Sequence, residues 1–174
     1  SICLENKITD SSIIKNDFQL KEPLSLENTK WKNQIVNSES VSIHVRRGDY
    51  VSSAGQQSHV SCDVKYYQSA LELIQKKKNA VNVFVFSDDL DWCKTNLKFN
   101  APIFYVDSNQ NQNFHIDMIL MSHCKHNIIA NSSFSWWAAW LNKNTEKMVI
   151  APKKWFADTA LNNKDLLPIE WITL

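Results

Sequence analysis

An α/β fold, a parallel sheet with helices on both faces, is predicted by three features of this sequence. From residue 41 onward, apolar strand-like runs alternate with helical patterns, as in a chain of βαβ units. The runs are short and β-rich, and the helices between them imply right-handed crossovers that cover both faces of the sheet. With 174 residues, 44% of them hydrophobic and seven of them Trp, the chain can fill one sizeable core but not two comfortable ones.

The elements follow in order. A strand at about 41–46 alternates Val41, Ile43 and Val45 with Ser42, His44 and Arg46, and Gly48-Asp49 supplies the turn that ends it. A helix at about 63–78 closes on Lys76-Lys77-Lys78, cations that complement the negative end of the helix dipole. Next come a strand at about 81–87, read from Val81-Asn82-Val83-Phe84-Val85-Phe86, a helix at about 89–98 and a strand at about 102–106. A helix at about 112–125, a strand at about 127–131 (Asn127-Ile128-Ile129-Ala130), a helix at about 133–143 and a strand at about 147–151 complete the series. Residues 1–40 are different: polar, rich in Asn, Ser and Lys, interrupted by Pro23 and without a strong period. They read as a linker or the remains of a preceding domain.

Composition narrows the function. Nineteen Lys and Arg against 18 Asp and Glu give a net charge of +1, so no general attraction to nucleic acid or anionic lipid is expected, and any anion site must be local. No apolar run approaches the ~20 residues that span a bilayer. The start, Ser1-Ile2-Cys3-Leu4-Glu5, lacks both the parts of a signal peptide and an initiator Met, which suggests a fragment or processed product. Cys3, Cys62, Cys93 and Cys124 are scattered without Cys-x-x-Cys spacing, so free thiols in a reducing compartment are expected. Only two Gly, both between residues 48 and 55, exclude the Gly-rich dinucleotide fingerprint and the P-loop. Asn131-Ser132-Ser133 matches the N-glycosylation tripeptide but lies between an apolar strand and an apolar helix, and is read as accidental.

Ligands of parallel sheets bind beyond the carboxyl ends of the strands, and polar residues collect there. Arg46, Arg47 and Asp49 follow the first strand, Ser87, Asp88 and Asp89 the second, and Asn131, Ser132 and Ser133 the fourth. An arginine pair at a strand end suits a phosphate, because the guanidinium is always charged and presents a planar fork of donors. The alternative is an ion pair with Asp49 or another carboxylate. Ser132 and Ser133 open the helix beginning Phe134-Ser135-Trp136, whose N–H groups and dipole favour phosphate, unless a serine merely caps it. Asp88-Asp89-Leu90-Asp91 allows a divalent metal or, as the simpler account, helix capping. His115, His123, Cys124 and His126 are ligand types without the spacing of a zinc site. Asp117, amid Ile116, Met118, Ile119, Leu120 and Met121, is either half-buried with a partner or reading a ligand. Trp136, Trp137 and Trp140 fit a core face better than a sugar platform. Arg47-Gly48-Asp49 spells an adhesion tripeptide, but it leaves a buried strand, not the tip of a long loop.

Three spaced motifs carry a family resemblance: His-Val-Arg-Arg-Gly-Asp-Tyr at 44–50, Ser87-Asp88-Asp89 through Trp92-Cys93-Lys94, and Asn131-Ser132-Ser133-Phe134-Ser135-Trp136-Trp137-Ala138-Ala139-Trp140-Leu141. Over about residues 41–155 the sequence resembles the α1,2-fucosyltransferases of glycosyltransferase family 11, inverting enzymes that move fucose from GDP-fucose to galactose. The resemblance implies a GT-B architecture whose carboxyl-terminal Rossmann-like domain, here residues 41–174, binds the nucleotide sugar. It further implies that Arg46 holds the β-phosphate of GDP, Arg47 supports the turn, and His44 lies near the nucleoside. Asp117 would read the guanine N1 and N2 donors, and Ser132, Ser133 and Phe134 would add bonds to the phosphates, with Ser87 and Asp88 on the same donor site.

Asp49 is the candidate base for the galactose 2-hydroxyl, with Asp63 and His59 behind it. No cofactor and no metal are expected, Arg46 taking the part magnesium plays elsewhere. The expected partners are GDP-fucose and a galactose-terminated glycan acceptor, with no nucleic acid, and with peripheral membrane association through a part beyond this chain. The bacterial cytoplasm or the inner face of the membrane is the expected location, or the Golgi lumen if the source is eukaryotic. A noncatalytic guanine-nucleotide module and a metal-dependent Asp-x-Asp transferase are the alternatives.

Overall fold

The computed structural model describes residues 22–47, 62–109, 113–156 and 166–174. The elements are α1 (Leu26–Val36), β1 (Ser40–Val45), α2 (Val64–Gln75), β2 (Asn82–Ser87), α3 (Leu90–Asn96), β3 (Ile103–Tyr105), α4 (Phe114–His123), β4 (His126–Ile128), α5 (Ser133–Leu141), β5 (Val149–Ala151) and β6 (Ile172–Thr173). All six strands pair in parallel, in the order β3-β2-β1-β4-β5-β6. This is the strand order of the doubly wound Rossmann fold, and the sheet is parallel as the alternation of elements predicts. Chain direction across the sheet reverses between β1 and β4, which makes the gap beyond their carboxyl ends the topological switch point.

Side-chain alternation along the central strands divides the core. Val41, Ile43 and Val45 of β1 and Val83 and Val85 of β2 pack with Tyr67, Ala70, Leu71 and Ile74 of α2. Phe84 and Phe86 point to the other face, where they meet Ile35 of α1, Leu120 and Met121 of α4 and Ala138 of α5. Each such fully buried side chain contributes roughly 1.5–3 kcal/mol of transfer free energy. A third cluster joins Ile129, Ala139, Val149, Ala151, Trp155 and Trp171. Trp136 and Trp140 stack on each other beside this cluster, at 6.2 Å between ring centroids, which puts them in a packing role.

The polar residues of β1 and β4 are buried too, and hydrogen bonds account for them. Asn127 Nδ2 donates to Ser42 Oγ (2.7 Å) and to the Met121 carbonyl (2.9 Å). Asn142 Nδ2 in turn donates to Asn127 Oδ1 (2.7 Å) and to the Cys124 carbonyl (2.8 Å). This polar seam ties β4 to β1, α4 and the end of α5. At the far end of the sheet, His126 Nδ1 accepts from the Met148 N–H (3.0 Å), so Nε2 carries the proton given to Glu39 (2.9 Å).

Two elements differ from the sequence reading. Helix α1 occupies part of the stretch read as a linker or remnant, capped by Ser25, whose side chain accepts from the Asn28 N–H (3.2 Å). Only Asn28 and Ile35 of α1 are buried, so no apolar stripe announces it. Strand β6 is two residues long, below the length at which alternation can be read. Cys62, Cys93 and Cys124 are free thiols, and no helix among the described residues is long and apolar enough to cross a membrane.

Candidate nucleotide-binding site

β1 and β2 run in register to their ends, Val45 opposite Ser87, so the residues that follow each strand emerge side by side. Asp88 Oδ1 accepts the Arg47 backbone N–H (2.9 Å), and Asp88 Oδ2 lies 3.1 Å from Arg46 Nη1. Asp89 caps α3 by accepting from the Trp92 N–H (3.0 Å), its own N–H donates to Ser87 Oγ (2.9 Å), and its second oxygen is 3.3 Å from Arg47 Nε. The Arg47 guanidinium lies 4.0 Å above the Trp92 ring, a cation–π contact. The two arginines thus differ. Arg47 is fastened to α3 by a carboxylate and an aromatic face, whereas Arg46, with about a third of its side chain exposed, pairs with Asp88 just after β2.

Aromatic contacts connect β1 to the helices across the switch point. The His44 ring lies 5.4 Å from that of Phe134 at the start of α5, and Phe134 lies 6.2 Å from Phe114 at the start of α4. His44 is 5% exposed, and burial, with a contribution from Arg46, pulls its pKa down to about 4 against the opposing pull of Asp88. It is therefore neutral at physiological pH, and its Nδ1 is buried without a partner among the described residues.

The entry to α5 is a tight turn in which the Ser132 N–H donates to the Ala130 carbonyl (2.8 Å). Ser135, fully buried, braces this turn through bonds to the Ala130 and Ser132 carbonyls. The side chains of Ser25, Asp63 and Asp89 cap their helices, but those of Ser132 and Asn113, which lead into α5 and α4, make no capping bond. Simple capping therefore does not account for Ser132. A prediction follows: Ser132→Ala should change stability by less than about 0.5 kcal/mol in urea denaturation, while Asp63→Ala should cost about 1 kcal/mol, the usual value of a lost cap. Equal costs would mean that Ser132 caps α5 in solution.

Asp117 stands in the first turn of α4, half-buried. Burial raises its pKa to about 6, and a bond from Asn109 Nδ2 (2.7 Å) partly offsets that rise. A hydrogen-bond partner for Asp117 is thus present, and a ligand contact remains compatible with it, because a carboxylate offers about four acceptor directions.

The family model described as Glycosyl transferase family 11 matches residues 15–174, nearly the whole chain. The chain belongs to glycosyltransferase family 11. This family 11 chain is 43% identical over 186 residues to the O-antigen biosynthesis glycosyltransferase WbnK of Escherichia coli, a match covering 99% of the chain and 60% of that relative. It is 38% identical to an Escherichia coli alpha-1,2-colitosyltransferase over 87% of the chain and 53% of the relative. To the galactoside 2-alpha-L-fucosyltransferase SEC1 of Bos taurus it is 32% identical over 58% of the chain and 28% of the relative. The family 11 chain thus spans between half and two thirds of the two bacterial relatives.

Other residues singled out in the sequence find definite partners or fall outside the described residues. Asp49 and His59 lie outside them, as does Gly48. Asp63 caps α2, accepting from the Tyr66 N–H (2.8 Å). Asn131 is buried, donating to the Trp155 carbonyl (3.1 Å). Asp91 is almost fully exposed beside Lys94, and His123 bonds the Ile119 carbonyl, so neither joins a ligand set. Among the described residues no three His, Cys, Asp or Glu side chains come together as ligands for a metal.

Sequence reasoning missed Asn28 and Asn109, the pair behind Asp117. Asn109 follows the third strand in Asp107-Ser108-Asn109, so lining up that strand end with the other three exposes it.

Proposed function

We propose that this family 11 chain carries the donor site for inverting transfer of fucose from GDP-fucose to the 2-hydroxyl of a terminal galactose. The observation that carries the reading is that the end of β1, which leads into Arg46, and the entry to α5 meet at the β1–β4 switch point, with the His44 ring 5.4 Å from that of Phe134. A guanidinium and the positive end of a helix both favour a diphosphate, the first through a charged fork of donors and the second through free N–H groups and the dipole. A carboxylate at Asp117 suits the adjacent N1 and N2 donors of guanine, a pair that adenine lacks.

In this mechanism the galactose hydroxyl attacks fucose C1 in a single displacement, through an oxocarbenium-like transition state, and GDP leaves. Negative charge grows on the β-phosphate as the bond breaks. Arg46 and the α5 dipole meet that charge more strongly in the transition state than in the ground state, and so lower the barrier. Arg47, held by Asp89 and Trp92, keeps the backbone that presents Arg46 in place. Asp49 is the proposed base. Asp63 is the weaker candidate because its carboxylate already serves α2.

The relative named as a colitosyltransferase bears on the donor sugar. Colitose is fucose without its 3-hydroxyl, so the two donors would differ at a single polar group in the same pocket. The O-antigen relative supports a bacterial surface-polysaccharide acceptor. The test is transfer by the full-length enzyme carrying this chain, supplied with GDP-fucose or GDP-colitose and a galactose-terminated acceptor, followed by linkage analysis. An α1,2-fucosyl product is expected. An α1,3 linkage, or turnover of GDP-colitose alone, sinks the assignment.

A further inference from the structure

Two asparagines, Asn109 at 3% and Asn28 at 4% exposure, form a reciprocal pair next to Asp117. Asn28 Nδ2 donates to Asn109 Oδ1 (2.8 Å), and Asn109 Nδ2 donates both to Asn28 Oδ1 (2.9 Å) and to Asp117 Oδ1 (2.7 Å). Both hydrogens of the Asn109 amide are therefore used, and so is its oxygen. Beside them Trp31 Nε1 donates to Ser108 Oγ (2.7 Å), a second bond from α1 to the same loop. Burying two amides costs free energy unless every group is satisfied. Here the satisfied network ends on a carboxylate at the start of α4.

We infer that Asn109, locked by Asn28, is the positioning residue that aims the Asp117 carboxylate at a guanine base. This rests on the guanine-nucleotide reading given above. Turning the Asn109 amide over would set its oxygen against an ionised carboxylate, so the pair has one stable orientation while Asp117 is charged. With Asn109 on one lone pair of Oδ1, the carboxylate keeps acceptor directions on both oxygens, enough for the adjacent N1 and N2 donors of guanine.

Asn109 also favours the ionised form of Asp117, which burial disfavours. The other titratable groups near this site are His115 and His123 on α4, Glu27, Lys30 and Lys32 on α1, Asp107 in the loop and the neutral His44 on β1. α5 brings none, and the raised pKa of Asp117 arises from burial, with Asn109 opposing it.

The test compares GDP with IDP, which keeps the N1 donor and lacks the 2-amino group, by calorimetry over a pH series. The unmodified chain should prefer GDP by roughly ten-fold or more, the size of one charge-assisted hydrogen bond. That preference should fade as pH drops through about 6, where Asp117 takes up a proton and loses acceptor capacity. In Asn109→Ala the preference at pH 7 should fall to about two-fold and the midpoint should move to higher pH, with IDP affinity falling less than GDP affinity because IDP engages Asp117 through N1 alone. Asn28→Ala, which keeps the Asn109 donor but unlocks its orientation, should show the same change at about half the size, and it serves should Asn109→Ala not fold. Variants that melt earlier yet keep the preference and its midpoint would overturn the inference, reducing the pair to a tie between α1 and the loop. An unmodified chain that binds GDP and IDP equally would overturn the guanine reading itself, and this inference with it.

Discussion

Replacing Arg46 by Ala is expected to weaken GDP binding about 100-fold, or about 2.7 kcal/mol, with little change in folding stability. The size follows from losing a charged, two-pronged donor to a phosphate at a site that is only partly open to water. Stability should hold, because the Arg46–Asp88 pair has about a third of the arginine and a quarter of the aspartate side chain exposed, and such pairs contribute little. Arg46→Lys should recover part of the loss, since it keeps the charge but not the fork, and a roughly ten-fold deficit should remain. Arg47→Ala should differ in kind. It removes the bond to Asp89 and the contact over Trp92, so its larger effect should be on the seating of α3, and GDP affinity should fall by less than ten-fold. Titration calorimetry on the three variants, with melting curves alongside, separates these outcomes. Equal losses of affinity from Arg46→Ala and Arg47→Ala would remove the division of labour between them.

The largest effect on stability is expected at Asn127. It is 1% exposed and holds Ser42, the Met121 carbonyl and Asn142 at once. Asn127→Ala leaves the Met121 carbonyl without this donor, takes a partner from Ser42 Oγ, and reduces Asn142 Nδ2 to its bond with the Cys124 carbonyl. At roughly 1–3 kcal/mol for each buried group left unsatisfied, the cost should be about 3 kcal/mol. That is a large part of the 5–15 kcal/mol typical of a domain. Asn127→Leu should do no better, because it fills the space without answering the polar groups. Urea denaturation reads the loss as a lower midpoint at unchanged slope. A cost below about 1 kcal/mol would mean that water or rearrangement replaces the network. Because the seam fixes β4 beside β1, GDP binding should also weaken in Asn127→Ala, although the side chain lies inside the sheet.

How far the sequence discloses this molecule depends on the range of the interactions involved. Strands β1 and β2 and helices α2 and α5 are legible because alternation and helical spacing are local patterns, and the structure has them within a few residues of the expected limits. The Rossmann order is not local. The pattern implies a parallel sheet, while the placement of β1 next to β4 follows from packing across the whole chain. The same holds in the site. Arg46 and Arg47 stand out as cations at a strand end, where either a phosphate or a carboxylate partner is expected. That the carboxylates are Asp88 and Asp89, some 40 positions on, depends on the register that sets Val45 against Ser87. Asp117 is visible as a charge in an apolar helix. Its brace is only half visible: Asn109 follows a strand end, whereas Asn28 belongs to a helix with almost no apolar signature.

The measurement that bears most directly on the central claim is a calorimetric titration of the chain with GDP, GDP-fucose and ADP at neutral pH and moderate salt. The switch-point site as proposed binds GDP and GDP-fucose and takes ADP at least about ten-fold more weakly, because adenine offers no adjacent donor pair to Asp117. Equal affinity for ADP, or no binding of GDP, would contradict it.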